Sequence, residues 1–570
     1  VLLLAALVSL TPRSAGQQSV PGPGQEVTHK ISVTTRLVEV SVVVDDKHGH
    51  PVTDLAEKDF RLFDQGHEQE IAHFKVMTGG ATQRAPLNLP PGVYTNRLGQ
   101  RGTVSDSWTI ILLDRINTSF FDQSWVRPQI IKYLEQIKPQ QRVALYTLGY
   151  NLTVVHEFTD DTSTLITAVR ALGSKSPHQL QPIVGPDGQS ATASFPMMQG
   201  ETAPSAIELE MIQRLSDFLD LANKQQRVSV LDDRVRLTLR AFDAIARHIS
   251  GLPGRKNLIW VSGSFPISFD SGIGKLPGIE ARDYGEMIEQ TTERLNGSNV
   301  AVYPVDARGL IPEDLGLTTS IIGLDGTSKS RREFAASTAL PPSLDPNDIF
   351  TMNTIAQNTG GLAFFNSNDI RNSIERAVDD ARFSYILGYY PDHNQWNGEF
   401  RKLKVKVDRP GMEVRTRSGY LAATSTPVDA KDYGSMLGQI AASPLESTGL
   451  TVFAKVNRSA VSSGSVDAFL NVDPRGIRFT QADGHWNGRV IAAFVQLDAK
   501  GAVLGNGVVE QTVNMNLSPK TYDELMHTTL KLEKKLSLDP KAAQLCLIAL
   551  DENTGDAGSI HIPADKYRHN

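Results

Sequence analysis

Hydrophobic and polar positions change period twice along this chain. "RLVEVSVVVDD" sets Val38, Val40, Val42 and Val44 at alternate positions, the two-residue repeat of a strand with one buried face. "FRLFDQG" and "QEIAHFKV" repeat the pattern after turn residues, so residues 31–77 predict a small β module. From residue 106 the period becomes that of strand–helix alternation. "SWTIILLD" is apolar almost throughout, as a strand covered on both faces must be. "VRPQIIKYLEQI" follows with helical spacing, "RVALYTLG" and "LTVVHEF" form a hairpin pair, and "DTSTLITAVRAL" is a helix capped by Asp161 or Thr162. Leu231, Val235, Leu239, Phe242, Ile245 and Ile249 mark a long helix over 228–250. "KNLIWVSG", "NVAVYPVDARG" and "LAFF" are further strands, each followed or preceded by a helical segment. Over 106–381 this predicts an α/β fold: an open, mostly parallel sheet with helices on both faces.

Two polar inserts, 174–225 and 309–348, interrupt the alternation. Residues 78–105 and 421–435 read as linkers. After Ala381 the two-residue repeat returns in "RFSYILGYYP" and "FRKLKVKVDRPGMEVRTRSGY". These are half-exposed antiparallel strands, so 382–420 is expected to pack on the first β module and not to extend the parallel sheet. Residues 436–570 read as strands between Gly/Asp turns, a β-sandwich-like C-terminal domain. The single cysteine, Cys546, lies in "QLCLIAL" as a core residue and forms no internal disulfide.

The start, "VLLLAALVSL" followed by small and polar residues, has the shape of a secretory signal over 1–16, with 17–30 as a linker. No later stretch reaches the roughly 18 apolar residues of a spanning helix. An exported, soluble protein of the periplasm or extracellular space is expected. A net charge of −6 over 570 residues argues against nucleic acid as partner, because no strong basic patch is present to neutralise phosphates.

The segments "LLDRINTS", "KNLIWVSG", "VAVYPVDARGL" and "IAQNTGGLAFF", with the closing "YILGYYP…GEFRKLKVKVDRPGMEVRTRSGY", resemble the acidobacterial VWFA-related family, exported proteins built on the von Willebrand factor type A domain. The resemblance covers about residues 31–420. It implies a partner-binding crevice at the carboxyl ends of the sheet strands, where A domains hold Mg²⁺ or Mn²⁺ with an Asp-x-Ser-x-Ser loop, a Thr from a second loop and a further Asp. Carried over, Asp114 stands for the first Asp and Thr118 for the second Ser, with Asn117 offering an amide oxygen and Ser174 standing for the Thr. Two positions depart from the pattern. Ile116 replaces the first Ser, and Ser262 stands where the last Asp belongs. Asp306, one strand further out, is expected to lie about 10 Å from Asp114, too far to replace that carboxylate.

The loop thus reads as a degenerate metal site, with no cofactor firmly implied beyond Mg²⁺ or Mn²⁺. Asp114, Asn117, Thr118, Phe120, Phe121 and Ser262 are the candidate contacts for a ligand, either a protein or an envelope or extracellular polymer. Truncating Asp114 is expected to leave the fold largely intact. No catalytic residue is assigned: "VSGSFP" lacks the Gly-x-Ser-x-Gly frame and "GIGKLPG" lacks the Lys-Ser/Thr of a phosphate loop. A non-enzymatic protein-binding or adhesion module is expected; the alternatives are a structural envelope-assembly role and, behind it, a hydrolase.

Overall fold

The structure is a computed structural model that describes residues 37–77, 89–98, 107–137, 142–173, 232–263, 284–309, 346–392, 397–423, 433–459 and 464–567, with a few short pieces between them. The expected signal, insert 174–225 apart from Arg214, and most of 309–348 lie outside the described residues. Among the described residues no helix is long and apolar enough to cross a membrane. The architecture is mixed α/β with several sheets.

The central sheet has five strands in the order Leu152–Thr159, Arg142–Leu148, Trp108–Asp114, Lys256–Ser262, Val300–Asp306. Its inner pairs are parallel and the first pair is an antiparallel hairpin with bulges. "LAFF" contributes a single parallel bridge, Val305 to Phe364. Both faces are covered, which explains the uninterrupted apolar runs. On one face Trp108, Ile110, Leu112, Leu258 and Trp260 pack on Val235, Leu239, Phe242, Ile245 and Ile249 of the helix over 232–249. On the other, Ile111, Ile259 and Val261 pack on helices Phe120–Glu135, Thr162–Ala171 and Ile370–Arg382.

Two four-stranded sheets close over a second core. Val38–Asp45 lies between Glu413–Thr416 and Ser384–Tyr389, with His73–Met77 at the edge. Asn397–Val407 lies between Gly419–Ala423 and Phe60–Asp64, with His67–Gln69 at the edge. Val38, Val40, Val42 and Val44 point into this core against Tyr385, Leu387 and Tyr389. At its heart is Asp64, 1% exposed. Its Oδ2 accepts from the hydroxyls of Tyr389 and Tyr420, both at 2.8 Å, and its Oδ1 accepts from Arg401 Nε at 2.8 Å. The residues of the closing motif therefore serve as a buried polar staple. A second buried pairing ties this sandwich to the central unit: Arg415 donates to both Asp45 and Asp380.

The third core lies between sheet Leu530–Ser537, Ser465–Val472, Val452–Arg458, Val93–Thr95 and a sheet built on His485–Leu497, Val503–Leu517, Gln544–Asp551 and Ala557–Pro563. Helix Tyr433–Ala442 covers the outer face of the second sheet, where Cys546 is fully buried. Strand Val93–Thr95 comes from a segment that reads as linker. Three residues are too few to show a period, and the strand's partner lies more than 350 residues away. Asn96 anchors it, donating to the carbonyls of Ser447 and Leu450 at 2.7 Å and accepting from Val452 N–H at 2.9 Å.

The long helix joins the central unit to this third layer. His248 Nδ1 lies 2.7 Å from the Glu446 carbonyl, and Thr448 N–H donates to the Arg247 carbonyl at 3.0 Å. Gly251 lets the two segments touch, since a Cβ there would stand 2.2 Å from the Thr448 carbonyl oxygen. Glu446 Oε1 accepts from His561 N–H at 3.0 Å.

Two outcomes follow from these buried groups. Asp64→Ala leaves Arg401 and two hydroxyls without their acceptor, and should destabilise the protein by about 3–5 kcal/mol in urea unfolding. Tyr420→Phe removes one donor and should cost only about 1 kcal/mol. Burial pushes the Glu446 carboxyl up to about 7, from an ordinary 4.5. The folded state then holds a proton that the unfolded state releases, so stability falls as pH rises from about 4.5 to 7. Wild type should lose about 2 kcal/mol across that window, allowing for partial exposure. Glu446→Gln should abolish this slope and be the more stable of the two at pH 8, measured by urea unfolding at both ends of the range.

Candidate functional site

Strands Trp108–Asp114 and Lys256–Ser262 run parallel with Leu112 opposite Trp260 and Leu113 opposite Val261. Side chains two residues apart share a face, so Asp114, Trp260 and Ser262 converge on the side of the long helix. Asp114 is 1% exposed. Its Oδ1 accepts from the backbone N–H of Ile116 at 3.2 Å and of Asn117 at 3.0 Å. Its Oδ2 accepts from Asn117 Nδ2 at 2.7 Å, Trp260 Nε1 at 2.9 Å and Ser262 Oγ at 3.0 Å. Burial pushes the carboxyl above its usual range, while the donors from Asn117, Trp260 and Ser262 work the other way.

The rest of the loop is as fully engaged. Asn117 Nδ2 also donates to Thr238 Oγ1 at 2.9 Å, and Asn117 Oδ1 accepts from Arg234 Nε at 2.8 Å. Thr118 Oγ1 accepts from Gly263 N–H at 3.0 Å. Gly263 permits this approach, because a Cβ would come within 3.0 Å of the Asn117 carbonyl oxygen. Ser119 caps helix Phe120–Glu135, accepting from Asp122 N–H at 3.2 Å and donating to the Asp122 carboxylate at 2.7 Å. Ile116, in the slot of a hydroxyl ligand, is buried in the apolar core with Leu112, Trp260 and Phe265.

The structure thus brings Asp114, Asn117, Thr118 and Ser262 together; Ser174 lies outside the described residues. A divalent ion wants several oxygen ligands with free lone pairs, carboxylates foremost. Here one carboxylate already accepts five hydrogen bonds, and a guanidinium holds the amide oxygen. The cavity touching Asp114 is about 30 Å³, the scale of a water molecule. Asp306, opposite Ser262 in the next strand, is held by Arg308 with N–O distances of 2.8 to 3.2 Å. Among the described residues no group of three or more His, Cys, Asp or Glu is placed to hold a metal. The donor set does not fit a resident Mg²⁺ or Mn²⁺.

The aromatics next to the loop are different. Phe120 is 45%, Phe121 83% and Trp125 43% exposed, at the start of the helix. Phe120 and Phe121 meet edge to face with centroids 6.0 Å apart. Sequence reasoning missed Trp260, Thr238 and Arg234 as members of the loop network. Trp260 was within reach, since the two-residue repeat places it on the face of Ser262; Thr238 and Arg234 are more than 110 residues from Asn117 and carry no local signal.

No protein-family model matches the sequence, and no curated protein matches it. Solved structures offer partial likenesses. A von Willebrand factor type A protein from Catenulispora acidiphila aligns over 88% of this chain and 75% of its own, at 9% identity and a TM-score of 0.23. An aerotolerance-related membrane protein from Bacteroides fragilis NCTC 9343 aligns over 48% of this chain and 98% of its own, at 10% identity and a TM-score of 0.23. The pilus adhesin SpaC from Lactobacillus rhamnosus GG aligns over 86% and 57%, at 9% identity and a TM-score of 0.25. At these scores the reading of the site rests on its own geometry.

That geometry changes what Asp114 substitution does. The expectation that truncation would spare the fold overlooks the five donors that converge on the carboxylate. Asp114→Ala should destabilise the protein by about 3 kcal/mol or more in urea unfolding, because it strands the buried Trp260 and Asn117 donors. Asp114→Asn, which keeps one acceptor oxygen, should lose less.

Proposed function

We propose that this chain is an exported, non-enzymatic binding module of the von Willebrand factor A type. In this reading it grips a protein partner at the carboxyl edge of its central sheet without a metal ion. The observation that carries the reading is the cluster of Phe120, Phe121 and Trp125. Among the described residues nine large apolar side chains are exposed, and three of these fall within six positions of one another beside the sealed Asp114 loop. Scattered exposed apolar residues are ordinary; a contiguous aromatic group marks a contact surface. Phe121 and Trp125 are four residues apart on a helix, so they present one face.

The same geometry supports ion independence. Where an A domain leaves a coordination position for the partner's carboxylate, this chain sets Ile116, Trp260 and Arg234 against the loop. Binding energy must then come from aromatic burial at the edge.

The test is capture of envelope proteins from the source organism by the immobilised full chain, with and without EDTA. Wild type should retain a partner equally in both conditions. Phe121→Ala with Trp125→Ala should lose it by roughly tenfold or more, the usual scale for a buried aromatic anchor. The same partner retained equally by the variant, or released by EDTA, would contradict the reading. Phe121 is largely exposed, so Phe121→Ala alone should melt as wild type does and should already weaken retention.

A further inference from the structure

Away from the aromatic edge, a cleft of about 1460 Å³ opens between the long helix of the central unit and the third sandwich. One wall is a single helix face, on which Arg240 and Arg247 stand two turns apart, about 10 Å along the axis. The opposite wall carries Lys500, in the turn after strand His485–Leu497, and Lys541, before strand Gln544–Asp551. None of these four side chains makes a hydrogen bond or ion pair through its charged group among the described residues. Arg247 is half-buried, and burial lowers its pKa although Asp243 lies near; the Asp243 carboxylate is engaged by Arg294 at 3.0 Å. A guanidinium drawn from water with only a carboxylate shared with Arg294 near it is costly, and an anion in the cleft would relieve that cost.

Two carboxylates also line the cleft, Asp498 and Asp565. Asp498 is turned to its own loop, where Oδ1 accepts from Lys500 N–H at 2.8 Å and Ala502 N–H at 2.9 Å. Burial lowers the pKa of His561, whose ring lies 3.1 Å from the Ala441 carbonyl. The balance is cationic. The volume exceeds the roughly 300–1000 Å³ of small-molecule pockets, so it suits a segment of a longer chain. Tyr150, 41% exposed, brings a ring to the lining, and Asn151 and Gln544 bring amides. An aromatic face, amides and spaced cations together match a sugar ring that bears a carboxylate, with an apolar face and a polar rim.

We infer that this cleft binds a carboxylate-bearing oligosaccharide, with Arg240, Arg247, Lys500 and Lys541 pairing with the acid groups and Tyr150 stacking on a ring. The site is separate from the aromatic edge and stands or falls independently of it.

The experiment is calorimetric titration of the full chain with an oligogalacturonate of defined length, its methyl-esterified form and poly-glutamate. Wild type should bind the free acid, bind it more weakly as salt rises, and ignore the ester. Arg240→Ala and Lys541→Ala should each weaken binding by roughly tenfold, the loss of one charge-assisted contact, with unchanged melting because both side chains are exposed. Tyr150→Ala should weaken oligogalacturonate binding as well. No binding by wild type, equal affinity for the ester, indifference to both cation substitutions, or poly-glutamate bound as tightly as the sugar would each overturn the inference.

Discussion

A carboxylate removed from water must have its oxygens satisfied, and at Asp114 that requirement organises the whole edge of the central sheet. Five donors reach it from the loop that follows and from the neighbouring strand. Through Asn117 the network extends to Thr238 and Arg234, so the loop, two strands and the long helix are set relative to one another by one buried group. A hard cation would compete for the same lone pairs: Asp114 already holds five donors, and the neighbouring Asp122 carboxylate holds the Ser119 hydroxyl. Hydrogen bonding and coordination are alternatives here, and the geometry belongs to the first. Among the described residues the oxygens at the centre of this edge are thus taken up by hydrogen bonds, and in the proposed reading recognition falls to the exposed aromatics beside it.

The same economy of buried charge holds the surrounding layers. Asp64 gathers Tyr389, Tyr420 and Arg401, and Asp45 and Asp380 share Arg415. Breaking such groups singly is expensive, even though their net contribution is modest. The chain also crosses between layers. It leaves the first sandwich after Met77, adds Val93–Thr95 to the last, builds the central sheet, and returns at Ser384. Asn96 and the Glu446–Thr448 segment fix the far layer to the near ones, and the cationic cleft is the space this joint leaves open.

Much of this was legible in the sequence where the signal is local. The alternation of Val38, Val40, Val42 and Val44 is the buried face of a strand, and the apolar run of 108–113 is a strand covered on both sides. Asp161 caps its helix as its position suggests. Ile116 announced that the loop lacks a hydroxyl ligand. What the sequence does not carry is the meeting of distant polar residues. Tyr420 reaches Asp64 across 356 positions, and Arg234 reaches Asn117 across 117. A three-residue strand such as Val93–Thr95 is likewise silent, because its pairing partners and not its own pattern define it. The place of Asp114 at the end of a buried strand was readable; its own burial and the identity of its donors were not, beyond the face shared by Trp260 and Ser262.

The central claim is that the oxygens of the Asp114 loop are committed to hydrogen bonds and not to an ion. Titration of the full chain with Mn²⁺, followed by the electron paramagnetic resonance signal of the free ion, tests it most directly. The free-ion signal should track added Mn²⁺ as it does in a protein-free control. Stoichiometric binding that disappears in Asp114→Asn would contradict it.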